Sequence, residues 1–333
     1  MNIAVLGDGA WGSAIAHLLS TNKHSVTLWG PFPDYISEMR KCHSNPHFLP
    51  KIRFSDNMIF SADLKETVTK SEILVLALPS QYIRKLLENI QPFFDSDKHI
   101  LVDLAKGIEI HTLKRISEIV SEILGESNYA VLSGPSHAEE VIMNVPTAVV
   151  VASEKSHVGK IVQNAFMNPA FRVYCSSDPV GVELGGALKN VFAIAAGFVD
   201  GIGLGDNSKA ALLTRSIAEI SRLGKALGGN IETFSGLSGI GDLIVTCYSK
   251  HSRNRFVGEK LGSGYKLNEI LKELNMAVAE GVKTTESAYQ LAKKTNVETP
   301  IIGELYAALY EDKDPKKCIR DLMTRTATTE IYP

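Results

Sequence analysis

The residues able to do chemistry fall into a few stretches, of which Gly181 to Gly205 (GVELGGALKNVFAIAAGFVDGIGLG) stands first. Leu184, Leu188, Val191, Phe192, Ala195 and Val199 recur at helical spacing and make one apolar stripe. Lys189 is the only charge between Glu183 and Asp200, with Gly185, Gly186, Ala193 and Ala196 a turn away on either side. Such a lysine either snorkels to water or sits partly desolvated, with a pKa easily shifted for acid–base work. The helix alone leaves both readings open. Gly239-Ile240-Gly241-Asp242 sets a carboxylate in a mostly apolar segment, as a turn or N-cap aspartate or as a group that holds and tunes Lys189. Lys250-His251-Ser252-Arg253-Asn254-Arg255 packs basic and amide groups at a helix start that Ser252 can cap. It reads as a solvated basic loop or as a phosphate site, because arginine forks and helix N-termini both suit an oxyanion. Ala279-Glu280-Gly281 precedes another helix and by itself says little.

The elements that must position these groups begin with a glycine loop. Ile3 to Leu6 is a short apolar run, read as a buried strand. Gly7-Asp8-Gly9-Ala10-Trp11-Gly12 follows, and Ser13 to Leu19 reads as a helix. Alone, G-x-G-x-x-G also fits an ordinary glycine-rich turn; opening the chain between strand and helix, it reads as a dinucleotide signature. Gly7 permits the tight turn, Gly9 lets backbone approach a pyrophosphate, Gly12 allows close helix–strand packing, and the helix N-terminus supplies N–H groups.

Further strands are expected at Ser25–Trp29, Glu72–Leu78, Ile100–Leu104, Tyr129–Leu132, Thr147–Val151 and Phe171–Tyr174, with a helix at Gln81 to about Ile90. Apolar strands separated by helical stretches imply an α/β, Rossmann-like doubly wound parallel sheet covered on both faces. Its ligands belong at the strands' carboxyl ends, which lines up Gly9, Trp11, Pro79, Lys106 and the Ser133–Ser136 turn. Strand two ends in Trp29-Gly30-Pro31-Phe32-Pro33-Asp34. The acid that suits the NAD ribose and the arginine that suits NADP are both missing there, and Asp34 lies beyond two prolines. Use of both coenzymes with a slight lean to NADPH is the expectation.

After about Ser177 the strand pattern stops. Helices are expected from an Asp206 or Asn207 cap to Gly228, and at Arg253–Leu261, Thr284–Lys294, Pro300–Tyr310 and Pro315–Arg325. The division expected is 1–177 for a dinucleotide-binding domain and 178–333 for an all-α domain carrying substrate and catalysis, with a cleft between them.

Composition narrows the class. With 35 basic and 37 acidic side chains the net charge is −2, which gives no field drawing in nucleic acid or membrane. Four scattered cysteines, Cys42, Cys175, Cys247 and Cys318, argue against a disulfide framework or a cysteine zinc site and fit a reducing cytoplasm. The N-terminus lacks signal-peptide character, and no run of eighteen apolar residues predicts a membrane span. No metal-ligand cluster is visible, so a Lewis-acid route is not expected.

From residue 1 to about 325 the chain resembles the bacterial NAD(P)-dependent glycerol-3-phosphate dehydrogenases. The motifs that carry the resemblance are GDGAWGSA, ALPS, DLAKGIE, LSGPSHAEE, VELGGALKNVFAIAAG, LSGIGDLIVTC, HSRNR and AEGVKTTE. It implies reversible hydride transfer between NADPH or NADH and dihydroxyacetone phosphate, giving sn-glycerol 3-phosphate for phospholipid synthesis, in a cytoplasmic homodimer. Lys189 is implied as the catalytic acid/base. Lys106, Gly134, Ser136, Asp242, Ser252, Arg253 and Asn254 are implied around substrate, with Asn190 and Thr246 as further contributors. Trp11, Lys106, Ala138, Arg253, Ala279 and Glu280 join Gly7, Gly9 and Gly12 beside the coenzyme. Two departures, Gly30-Pro31-Phe32 where the family often has Arg or His and Ala279 where valine is common, bear on coenzyme preference. Two rivals remain: a related 3-hydroxyacid dehydrogenase, which shares the Gly-x-x-x-Lys helix but needs no HSRNR cluster, and a non-catalytic dinucleotide sensor.

Overall fold

The structure is a computed structural model that describes residues 1–274 and 278–330. Eight strands form one sheet: β1 (Asn2–Leu6), β2 (Ser25–Trp29), β3 (Met58–Ser61), β4 (Ile73–Leu76), β5 (Ile100–Asp103), β6 (Asn128–Ser133), β7 (Thr147–Ala152) and β8 (Phe171–Ser176). Seven helices are interleaved with them: α1 (Ala10–Thr21), α2 (Pro33–Cys42), α3 (Leu64–Thr69), α4 (Ser80–Ile90), α5 (Ile116–Leu124), α6 (Ala138–Ile142) and α7 (Ser156–Phe166). After them come α8 (Pro179–Ile202), α9 (Asp206–Ala226), α10 (Ile231–Phe234), α11 (Asp242–Tyr248), α12 (Arg253–Gly262), α13 (Leu267–Glu273), α14 (Glu280–Thr295), α15 (Pro300–Tyr310) and α16 (Pro315–Met323).

The strand order is β3-β2-β1-β4-β5-β6-β7-β8. β1 pairs parallel with both β2 and β4, so the order reverses beside the glycine loop, the switch point at which open α/β sheets bind ligands. Ile73 to Leu76 of β4 are buried on both faces, as a strand covered by helices on each side must be. One core lies between the sheet and α1, from Ile3 and Val5 to Phe166 and Val173. A second lies on the opposite face under α4 and α5, and a third surrounds α8 in the helical half.

Three features depart from the sequence reading. β7 runs antiparallel to β6, with Val131 opposite Ala152. The chain between them carries only the five-residue α6, packed on α1, and does not cross back over the sheet as a parallel pairing requires. β3 and α2 occupy a stretch to which the sequence assigned no element. β3 has four residues with Ile59 exposed, an edge strand with little apolar signal. Pro33 and Asp34 form the first turn of α2, where a fixed φ and a negative charge both favour a helix, so Asp34 is spent there. The cap of α9 is Gly205, with Asp206 already inside the helix.

α8 organises the helical half. Asp178 caps it by accepting from Gly181 N at 2.8 Å, Pro179 takes the first position, and Gly203 closes it in the left-handed region at φ 82°. By length and hydropathy α8 could cross a membrane, but its apolar window is wholly buried in the protein. Glycines let α12 lie against it. A Cβ on Gly197 would come within 1.9 Å of Arg255 O, and one on Gly258 within 1.8 Å of Ile194 O.

Candidate active site

The carboxyl ends of β1, β4, β5 and β6 form one rim, and α8, α11, α12 and α14 meet it from the helical half. At Gly7, φ is +135° and a Cβ would strike Ala77 O at 2.5 Å; only glycine fits. At Gly12 a Cβ would meet Gly7 O at 2.0 Å, whereas at Gly9 the space is open to 4 Å. Gly7 and Gly12 therefore let α1 pack onto the sheet, and Gly9 leaves backbone bare toward a ligand. Gly9 caps α1 without a side-chain acceptor. Trp11 Nε1, close by, is buried with no partner among the described residues. An open backbone cradle, a helix N-terminus and an unmet donor together fit a dinucleotide's phosphates.

Lys106, three residues beyond β5, reaches Asp242 Oδ2 at 2.6 Å, Gly134 O at 3.0 Å and Ser136 Oγ at 3.3 Å. Lys189 Nζ donates to the other Asp242 oxygen at 2.7 Å and to Thr246 Oγ1 at 2.7 Å. One carboxylate thus bridges two ammonium groups, one from each half of the chain. Lys189 is 6% exposed and Asp242 1%; the lysine does not snorkel. Burial lowers the Lys189 pKa to about 8, with Asp242 opposing that and Lys106 adding to it. Burial alone would raise Asp242, but the two ammonium groups outweigh it and hold the carboxyl below its usual range.

Local sequence explains the fit. Gly134 adopts φ +137°, which turns its carbonyl to Lys106. Gly186 on α8 leaves room for Ser133 Oγ, which would lie 2.6 Å from a Cβ there. Leu237–Gly241 winds as a π-helix just before α11, a wide turn common at functional sites. It seats on Gly185, where a Cβ would approach Ser238 O to 2.7 Å.

The amides predicted around substrate form a relay within the protein. Asn190 Nδ2 donates to Lys106 O at 2.8 Å, Asn254 Nδ2 to Asn190 Oδ1 at 2.9 Å, and Gly281 N to Asn254 Oδ1 at 2.9 Å. Ser252 Oγ accepts from Arg255 N as the cap of α12. Arg253 in the first turn of α12 is exposed, while Arg255 is committed to Asp200. Glu280 accepts from Ser80 N at 2.9 Å, tying α14 to the start of α4. Burial raises its pKa, with Arg253 opposing. Ala279 caps α14 beside it, and Ala138 opens α6; both are buried.

Sequence reading missed Ser80 and His137. His137 Nε2 is buried and unpartnered among the described residues, and the ring lies 6.0 Å from that of His251. Burial, then Lys189, lowers its pKa. A histidine inside LSGPSHAEE was the available signal.

The family model for the N-terminus of NAD-dependent glycerol-3-phosphate dehydrogenase matches residues 2–159, and that for its C-terminus matches 178–320. The chain is 49% identical over 334 residues to the glycerol-3-phosphate dehydrogenase (NAD(P)+) of Syntrophotalea carbinolica, covering 99% of this chain and 100% of that one. A Staphylococcus aureus enzyme of the same name is 46% identical, with coverages of 98% and 99%. The crystal structure of glycerol-3-phosphate dehydrogenase from Coxiella burnetii superposes with a TM-score of 0.93 at 36% identity, over 97% of this chain and 98% of that one. Neither the 3-hydroxyacid dehydrogenase nor the sensor reading is favoured by these relatives. The chain belongs to the NAD-dependent glycerol-3-phosphate dehydrogenase family.

Proposed function

We propose that the protein interconverts dihydroxyacetone phosphate and sn-glycerol 3-phosphate, with Lys189 as the proton carrier, and supplies glycerol 3-phosphate for phospholipid synthesis. The observation that carries the assignment of Lys189 is the Lys106–Asp242–Lys189 bridge, a buried ammonium near its titration point at the rim of a dinucleotide-binding sheet. When bound, NAD(P)H supplies the hydride for the carbonyl carbon. Lys189 Nζ polarises the carbonyl oxygen and gives it a proton, leaving a neutral amine; ketone, hydride and proton balance to the alcohol. Thr246 and Asp242 hold Nζ in place, and the nearby carboxylate favours the charged form before transfer.

Lys106, Ser136 and Arg253 bind substrate, with Arg253 on the phosphate. Asn190, Asn254 and Ser252 position these groups, since their side chains are engaged within the protein. Gly134 gives the Ser133–Ser136 turn its shape. Gly7, Gly9, Gly12, Trp11, Ala138, Ala279 and Glu280 line the coenzyme side. Residues 1–177 and 178–333 act as coenzyme and substrate domains of a cytoplasmic homodimer.

The test is coenzyme oxidation followed at equal enzyme, with NADH and with NADPH, with and without dihydroxyacetone phosphate. Oxidation that depends on dihydroxyacetone phosphate is expected. Turnover of 3-keto acids in its place would favour the hydroxyacid rival, and no turnover of either would favour a sensor.

A further inference from the structure

Strand β2 ends without the acid that usually meets an adenosine ribose, yet a carboxylate stands at that place. A Cβ built on Gly30, the first residue beyond β2, would lie 2.3 Å from Asp8 Oδ2 and 2.6 Å from Asp8 Cγ. The Asp8 carboxyl therefore fills the volume that a side chain at position 30 would take. A side chain at position 30 would have to displace the Asp8 carboxyl from this place.

The loop fixes this placement. Gly7 N donates to Trp29 O at 2.9 Å, joining the glycine loop to the end of β2. Asn45, fully buried, donates to Asp8 O at 2.8 Å and to Ser13 Oγ at 2.8 Å. Asp8 as a whole is partly exposed, while its Oδ2 is buried with no hydrogen-bond partner among the described residues. A carboxylate oxygen without a donor is costly to keep unless a ligand brings one.

We infer that Asp8 replaces the missing acid of strand two: its carboxylate accepts from the adenosine ribose hydroxyls of the coenzyme and makes the enzyme prefer NADH over NADPH. A 2′-phosphate would place a second negative group against Asp8 and find no cation at Gly30-Pro31-Phe32 to offset it. The inference rests on the coenzyme site lying at the glycine loop, and it reverses the lean to NADPH expected from strand two alone.

Dissociation constants for NADH and NADPH, measured by titration without substrate, test it. Competition by 5′-AMP and by adenosine 2′,5′-bisphosphate isolates the ribose end. The wild-type chain should bind NADH at least about tenfold more tightly than NADPH, a modest figure for juxtaposed like charges, and 5′-AMP more tightly than the bisphosphate. In Asp8→Ser the ratio should fall to within about threefold, mainly through tighter NADPH binding as that repulsion is removed. Asp8→Asn keeps the shape and loses the charge, so it should narrow the ratio even if the serine variant folds poorly. Equal constants in the wild-type chain, or an unchanged ratio in folded Asp8→Asn, overturn the inference. Binding of neither dinucleotide by the wild-type chain would overturn the coenzyme site beneath it as well.

Discussion

At the residue scale the proposed chemistry turns on a single carboxylate. Asp242 satisfies two lysines, and burial leaves Lys189 with a pKa of about 8. Ketone reduction uses the protonated form, so kcat for dihydroxyacetone phosphate should be flat at lower pH and fall as pH rises through about 8. Glycerol 3-phosphate oxidation uses the neutral amine and should show the opposite limb. Asp242 raises the Lys189 pKa, so Asp242→Asn should move both limbs to lower pH, and pH–rate profiles of the two proteins check it. Profiles that coincide would mean that Asp242 does not tune the proton. Arg253, exposed in the first turn of α12, should hold the phosphate. Arg253→Ala should cost about 1.5–3 kcal/mol, seen as a raised KM for dihydroxyacetone phosphate and lost discrimination against dihydroxyacetone. Intact discrimination would move the phosphate contact to Lys106.

Part of this was legible in the residues themselves. A lone lysine among small residues and a carboxylate after two glycines stood out as candidates, with a snorkelling lysine and a turn aspartate equally open. The sharing of Asp242 with Lys106 was not legible, because the three come together only when the β5 loop meets α8 and α11. Asp8 was missed for the same reason. The acid was sought at the end of strand two, and the fold brings it there from the loop after strand one.

Glycines carry the specificity of packing at the element scale. In an open helix, alanine outdoes glycine because it loses less backbone entropy. At the crossing of α8 and α12 the sign inverts, since a Cβ on Gly258 would sit 1.8 Å from Ile194 O. Gly258→Ala should destabilise the protein by about 1–3 kcal/mol or more, as overpacking does. Gly303 on α15 has nothing within 4 Å of its Cβ position, so Gly303→Ala should stabilise it by about 0.4–1 kcal/mol. Denaturant unfolding of the pair gives both signs, and a neutral or stabilising Gly258→Ala would refute the close approach. Elements with continuous apolar runs, β1, β2, β4 and β5, were readable to within a residue or two at each end. The direction of β7 was not, because an apolar run reads alike in a parallel and an antiparallel pair. β3 and α2 were hidden by a four-residue edge strand and by prolines that start a helix where they resemble a loop.

At the scale of the whole molecule, two halves of different construction bring their candidate groups to one rim. The sheet rim brings the glycine loop, Lys106 and the Ser133–Ser136 turn, and the helical half brings Lys189, Asp242, Thr246 and Arg253. Ser80 N to Glu280 and Asn190 to Lys106 O join the halves beside the Lys106–Asp242–Lys189 bridge. Motif order along the chain announced a two-part dehydrogenase; the joints between the parts could not be read, because their partners lie as far as 200 residues apart.

Removing the proposed proton carrier while leaving the joint intact tests the account most directly. Lys189→Met keeps the length and apolar stem of the side chain and loses the ammonium. Steady-state reduction of dihydroxyacetone phosphate, with dinucleotide affinity measured alongside, should show kcat lower by at least about 10³, general-acid and oxyanion losses together, and a nearly unchanged coenzyme dissociation constant. A variant that keeps more than about a tenth of the wild-type kcat, a loss short of the ~10²-fold minimum for a missing general acid, would contradict the account, leave Lys189 a structural lysine and pass its role to Lys106.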